Sequence, residues 1–372
     1  MEIDQLVLTY RNSAARAASV GDLGAKPTRL WRGIALTCKY LVDARRHDVI
    51  RQCLQSCVLL VAMVMPAAAA ADSSLTEGVV VPTSFEDGRI YVEMPVPSRR
   101  APLHVLTDTG GGSFILSKDA ASRLRLTLVP ERSAEVMAEM GPDTWLAEPT
   151  PFIRRQWIAL PAKTQFLVIP QVKLLSTSDR DGIFGQQWFA DHVWTWDYPH
   201  KKLILRPPSW HPSNARPLQV TFKTDKSRNR LSDFPRIVVR VDGEELPMLY
   251  DTGATTILTP GALEAVADKS PALRSTSMIA HSTFERWRTR HPDWRIVDDA
   301  QVATHARMIL VPEVEITGRK SRAAWFTERP DKAFYEFMTQ LMSDHVEGSI
   351  GGNVLADFVI SIDYPRAKAW LQ

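Results

Sequence analysis

Two carboxylates stand out by what surrounds them. Asp108 lies in LTDTGGGSF and Asp251 in LYDTGATTI, so Asp-Thr-Gly occurs twice, each time after an apolar run and before small residues that leave the acid uncrowded. A lone carboxylate at such a turn can accept loop amides and do nothing more. Two of them brought together in a poorly solvated cleft repel, hold one proton between them, and supply a general base and a general acid from one pair. That chemistry is the activation of water for attack on a carbonyl, with no metal, cofactor or covalent intermediate. The pair titrates as a unit, so neither residue owns either role.

The elements that must position the acids are also duplicated. Arg89-Ile90-Tyr91-Val92 opens a strand that turns and returns as LHVLTDTG, and Arg236-Ile237-Val238-Val239 turns at Asp242-Gly243 and returns as LPMLYDTG. Both read as β-hairpins ending on the acid. After each acid comes a short apolar strand, Phe114 to Leu116 and Ile257 to Leu258, then a helix-like segment capped by Ser117 in one copy and by Thr259 with Pro260 in the other. FLVIPQVKL matches MILVPEVEI through Pro170 and Pro312, and GIFGQQWFADHVWTWDYP matches GSIGGNVLADFVISIDYP. The second copy is longer, which points to a helical insertion at about 318–347. Asp191, Asp197, Asp357 and Asp363 in these repeats read as turn residues.

These residues resemble the aspartic peptidases of the pepsin and retropepsin type. Asp108-Thr109-Gly110 and Asp251-Thr252-Gly253 match the signature loops, and Ile183-Phe184-Gly185 and Ser349-Ile350-Gly351 match the strand of two hydrophobic residues and a glycine behind each loop, with Ser349 departing from the pattern. The resemblance covers most of residues 79–372. It implies a mainly β protein of two similar lobes of antiparallel strands, with short helices and a cleft between them. It also implies peptide-bond hydrolysis by Asp108 and Asp251 at mildly acid pH, with Thr109 and Thr252 bonded across to the opposite loop and Gly110 and Gly253 admitting close backbone approach. The middle elements, around Ala138 to Leu160 and Ile279 to Ala303, should include hairpins able to fold over a peptide. The pepsin type has a tyrosine there; no Tyr lies between Asp108 and Asp197 or between Asp251 and Phe334. Trp145, Trp157, Trp287 or Trp294 would cover the cleft instead, Trp145 and Trp287 foremost. The alternative is a peptide-binding envelope protein of the same fold without turnover.

The chain sets the frame for this reading. With 372 residues, 45% hydrophobic and 23% charged, it is a globular protein with room for two cored lobes. Arg45, Arg46 and Arg51 precede CVLLVAMVMPAAAA and a small-residue site ending at Ala71, the order of a secretory signal. The run is shorter than the roughly 20 residues that span a bilayer, so cleavage after Ala71 is expected rather than anchoring. It begins some 50 residues in, which suggests a start assigned too early. Residues 1–71 hold nine basic and five acidic residues, so of a net charge of +3 the remainder carries about −1, which argues against a nucleic-acid partner. Cys38, Cys53 and Cys57 all lie in the leader, so the mature chain would have no thiol. His281, His291, His305 and His345 lack zinc-peptidase spacing. The expected organisation is a leader (1–71), an N-terminal lobe (79–206), a Pro-rich linker (207–217) and a C-terminal lobe (218–372). The expected product is an exported monomer, periplasmic or secreted, acting on peptide or protein.

Overall fold

The computed structural model describes residues 78–97, 101–170 and 180–372. The leader, its cysteines and its cleavage site lie outside the described residues. The first half contains β1 (Val79–Val81), β2 (Thr83–Glu86), β3 (Arg89–Met94), β4 (Leu103–Thr107), β5 (Phe114–Ser117), β6 (Val129–Pro130), β7 (Trp145–Ala147), β8 (Phe166–Ile169), β9 (Gly182–Phe184), β10 (Val193–Asp197) and β11 (Lys202–Arg206), with helices α1 (Lys118–Arg123), α2 (Ala134–Met140) and α3 (Pro151–Gln156). The second contains β12 (Arg216–Leu218), β13 (Val220–Thr221), β14 (Arg236–Val241), β15 (Glu244–Tyr250), β16 (Thr255–Ile257), β17 (Leu273–Ser275), β18 (Ser277–Ala280), β19 (Ile296–Val297), β20 (Met308–Val311), β21 (Glu315–Ile316), β22 (Arg319–Lys320), β23 (Ala324–Arg329), β24 (Gly348–Ile350), β25 (Val359–Asp363) and β26 (Lys368–Leu371), with α4 (Pro260–Val266) and α5 (His281–Arg290).

Each half builds its own sheet and both share a third. The first sheet runs β2-β3-β4-β9-β5-β8-β7-β6, and the second contains β14-β15-β24-β18-β23-β20-β19, with β21 and β22 beyond β14 and β13 also paired to β14. Position by position these are one topology, including the parallel pairs β4 with β9 and β15 with β24. The shared sheet, β1-β11-β10-β25-β26-β12, joins the halves through β10 and β25, where Thr195 faces Ser361 and their hydroxyls bond at 2.7 Å. These two residues occupy equivalent places in the sequence repeat, and their neighbours pair symmetrically about them, Trp194 with Ile362 and Trp196 with Ile360. Such a register requires a two-fold axis through the Thr195–Ser361 pair.

Topology corrects the sequence-based matching of the two copies. The counterpart of β5 is β18, not the strand directly after the second acid, and the counterpart of β8 is β23, not β20. Both helix caps form as read, Ser117 Oγ accepting from Ala120 N and Thr259 Oγ1 from Ala262 N, but α1 corresponds to α5 and not to α4. The second copy therefore carries extra chain in two places. One is β16-α4-β17, placed directly after the acid loop. The other is a π-helix, Lys332–Met338, continued by Thr339–Leu341. The helical insertion expected from about 318 is thus shorter, because β22 and β23 occupy its beginning and β23 is a central strand whose Ala324, Phe326 and Thr327 are buried. TTILTPGAL mimics SFILSKDAA in polarity and capping, and local pattern alone could not tell which copy of the strand enters the sheet.

The main core runs from one lobe into the other beneath the acid loops. Aromatic rings form a continuous tract: Phe184 to Trp188 at 5.4 Å, Trp188 to Trp194 at 4.7 Å, Phe189 to Trp196 at 5.4 Å and Trp196 to Tyr250 at 5.2 Å. Phe184 ends the strand behind the first acid and Tyr250 immediately precedes the second. Large rings with few rotatable bonds make this floor stiff.

Candidate active site

The acids are held by their own loops and by the strands behind them. Asp108 Oδ1 accepts from Gly110 N at 3.0 Å, and Asp251 Oδ1 accepts from Gly253 N at the same distance. The amide of Asp108 donates to Phe184 O at 2.9 Å and that of Asp251 to Ile350 O at 3.0 Å. Ile183, Phe184 and Gly185 thus lie behind the first loop, with Ser349, Ile350 and Gly351 behind the second. Gly351 has no alternative, since a β-carbon there would sit 1.8 Å from Thr276 O.

Two threonines lock the loops together. Thr109 N donates to Thr252 Oγ1 at 3.2 Å and Thr252 N to Thr109 Oγ1 at 3.0 Å. Each hydroxyl then donates across the junction, Thr109 Oγ1 to Tyr250 O at 2.6 Å and Thr252 Oγ1 to Thr107 O at 3.1 Å. Both residues are fully buried. Thr252→Val keeps the shape but strands a buried amide and a buried carbonyl, so it is expected to lower the unfolding free energy by about 3 kcal/mol, read as a shift in the urea midpoint. An unshifted midpoint would mean that the interlock contributes nothing.

The interlock sets the two acids close together across the junction, each against the glycine of the opposite loop. The loops cross closely enough that a β-carbon on Gly110 would fall 2.6 Å from Asp251 Oδ1, and one on Gly253 would fall 2.3 Å from Asp108 Oδ1. Burial raises both acids. Asp108 is driven well above the usual carboxylate range by burial and then by the charge of Asp251, while the amides of Gly110 and Gly111 act in the opposite sense. Asp251 is pushed up to about 6 by burial, held from rising further by Gly253 N, by Asp108 and by Ser349. The pair can hold one proton at near-neutral pH, which a water bound to both could use.

The proposed cover of the cleft is built differently from the expectation. Trp287 is not at a cleft: it is 1% exposed in the second-lobe core, packed on Phe326 at 5.3 Å and Trp294 at 5.9 Å. Trp145 lies on β7, three strands from β9, with Lys118 Nζ 4.4 Å above its ring. At about 4.8 Å per strand that is roughly 14 Å from the strand behind the first loop. Trp157 is buried against Phe166 and Phe184.

In the regions expected to cover the cleft, antiparallel pairs β6–β7 and β19–β20 form at the sheet ends, and helices take up much of the remaining chain. FERWRTRHPDWR belongs largely to α5, where Phe284 and Trp287 are buried at helical spacing while Arg286 and Arg290 pair with Glu244. The first-lobe segment is set by caps, Ser133 and Gly141 bounding α2 and Thr150-Pro151 starting α3.

Sequence reasoning missed Tyr198 and Tyr250, buried aromatic residues beneath the pair. The phenol of Tyr198 is raised by burial and by the charge of Asp251. Its place just after Asp197 in the repeated Asp-Tyr-Pro was the available signal. Among the described residues one trio, His281, Glu285 and Glu328, gathers metal-ligand atoms. Arg307 already satisfies it, donating at 2.7 Å to both Glu285 Oε1 and Glu328 Oε1.

The duplicated sheets, the shared sheet and the paired loops make this a pepsin-like fold, mainly β. No protein-family description matches the chain and no curated protein is similar to it. Among solved structures it is similar to basic 7S globulin from soybean, at 11% identity over 80% of this chain and 95% of that one, with a TM-score of 0.44. A likeness of that size says nothing of activity.

Proposed function

We propose that the chain is an aspartic-type endopeptidase, exported from the cell, that hydrolyses peptide bonds with water activated between Asp108 and Asp251. The observation that supports this is the close approach of Asp108 and Asp251 on loops interlocked by Thr109 and Thr252. The ionised member takes a proton as water attacks the carbonyl, and the protonated member donates to the carbonyl oxygen as charge develops there. No metal or cofactor enters the step.

A second reading, a peptide-binding envelope protein without turnover, draws on one feature: helices take up much of the chain expected to close over a substrate. Incubation with casein and with a random peptide library from pH 3 to pH 8, followed by labelling of new amino termini, separates the two. New termini formed by the wild-type chain support the peptidase. Retention of peptides on the immobilised chain without new termini at any pH supports the binding protein.

A further inference from the structure

The two acid loops are tied together beyond the threonine interlock, and two further ties can be followed bond by bond. From the second loop, Ala254 O accepts from Thr276 N at 3.0 Å, and the adjoining Ser275 N donates to Asp87 O at 2.9 Å, which crosses to the first half. Asp87 lies in the turn between β2 and β3, and Ile90 O on β3 accepts from Thr107 Oγ1 at 3.1 Å, next to Asp108. This tie crosses between the halves on main chain alone. Its packing admits no side chain, since a β-carbon on Gly352 would lie 1.8 Å from Gly88 O.

Gln186 holds the place of Gly352 in the first copy of the repeat, and there the tie runs through a side chain. Its backbone amide donates to Gly111 O at 2.8 Å, and Gly111 lies directly against the first acid, where a β-carbon would fall 2.6 Å from Asp108 Oδ2. Its side-chain Oε1 accepts from Asp233 N, in the connection between β13 and β14. From there the route to the second acid is short. Pro235 O accepts from Tyr250 N at 2.9 Å, one residue before Asp251, and Phe234 packs in one buried cluster with Leu249 and Ala254 on either side of that acid. Gln186 is 1% exposed, and its Nε2 has no protein partner among the described residues. The hydrogen bond its side chain makes is the one that joins the halves.

We infer that Gln186 is a positioning residue whose Oε1 holds the Asp108 loop in register with the Asp251 loop. This rests on the peptidase reading, in which the two acids act on one water and must keep their separation. Loss of the bond frees the β13–β14 connection, and with it the Asp251 loop, to shift relative to Asp108. A glutamine that only filled space could be exchanged for an apolar residue of its size without touching the chemistry.

The test is Gln186→Met in the full chain, which keeps the length of the side chain and removes the acceptor. The unpartnered Nε2 donor goes with it, so the denaturant midpoint should change little. kcat is expected to fall about 10- to 100-fold with KM unchanged, the effect of a displacement approaching an ångström at the reacting groups. A second readout needs no turnover: backbone amide hydrogen exchange should quicken by about tenfold at Gly111 and Tyr250, the two ends of the route, while Ser275, in the main-chain tie, exchanges as in wild type. An unchanged kcat, a lowered midpoint with kcat per folded molecule unchanged, or unchanged exchange at both amides would each overturn the proposal. If the wild type cleaves nothing, the peptidase reading fails, and hydrogen exchange still decides whether Gln186 ties the loops.

Discussion

Asp108→Asn and Asp251→Asn are each expected to lower kcat/KM by roughly 1,000-fold or more, because each removes one of the two proton positions that attack on a carbonyl requires. The amide keeps the size of the acid, so the fold should persist. Wild-type activity should rise through about pH 6 as the pair loses its first proton and fall as it loses the second. The same shifts affect stability. The folded chain favours the protonated acids, so their contribution is fully present below about pH 4, where the unfolded chain is protonated too, and is lost as pH rises through 6. For Asp251 alone that loss is on the order of 3 kcal/mol. Other carboxylates, such as Glu285 and Glu328, are lowered by Arg307 among other partners and act in the opposite direction. The quantity to measure is therefore the difference in denaturant midpoint between wild type and each asparagine variant, at pH 4 and at pH 7. The wild type should lose ground to both variants over that interval. Asparagine variants that cleave peptide as the wild type does would contradict the assignment of the pair.

Both loops, the strands behind them and the hairpins that carry them could be read from the chain because they depend on local identity. Asp-Thr-Gly, the two hydrophobics before Gly185 and the turn at Asp242-Gly243 each leave a short signal. The turn acids also read correctly: Asp363 accepts from Arg366 N at 3.0 Å and Asp197 from His200 N at 3.2 Å. The rest depends on which strand wins a place in a sheet, and that is settled between distant residues. Thr255–Ile257 follows an identical Asp-Thr-Gly, as β5 does, yet it pairs with β17 while β18 takes the place beside β24. Trp287 shows the same limit. It was expected to cover the cleft in place of a tyrosine, but α5 turns Phe284 and Trp287 inward and leaves the arginines to Glu244 and Glu285.

Gly110→Ala and Gly253→Ala should separate the site from the fold. Neither glycine has a left-handed backbone, so alanine is tolerated there conformationally. What the new methyl meets is the other loop's acid: 2.6 Å to Asp251 Cγ from position 110, and 2.2 Å to Asp108 Cγ from position 253. From position 110 the methyl meets only the carboxyl end of Asp251, which can swing aside at small cost, so Gly110→Ala should fold with a nearly unchanged denaturant midpoint; from position 253 Asp108 Cβ also lies at 2.8 Å, so Gly253→Ala should fold with a lowered one. The pair, however, is forced apart, and a displacement of an ångström at reacting groups costs roughly 100-fold in rate. The contrast is Gly351→Ala, whose methyl meets the carbonyl of Thr276 rather than a side chain; it should be strongly destabilised before activity is even considered. Circular dichroism melts and cleavage rates on the three variants would give the pattern. If Gly110→Ala and Gly253→Ala both cleave at the wild-type rate, the carboxyl groups cannot stand where the opposite loop would touch them, and a shared proton between them is excluded.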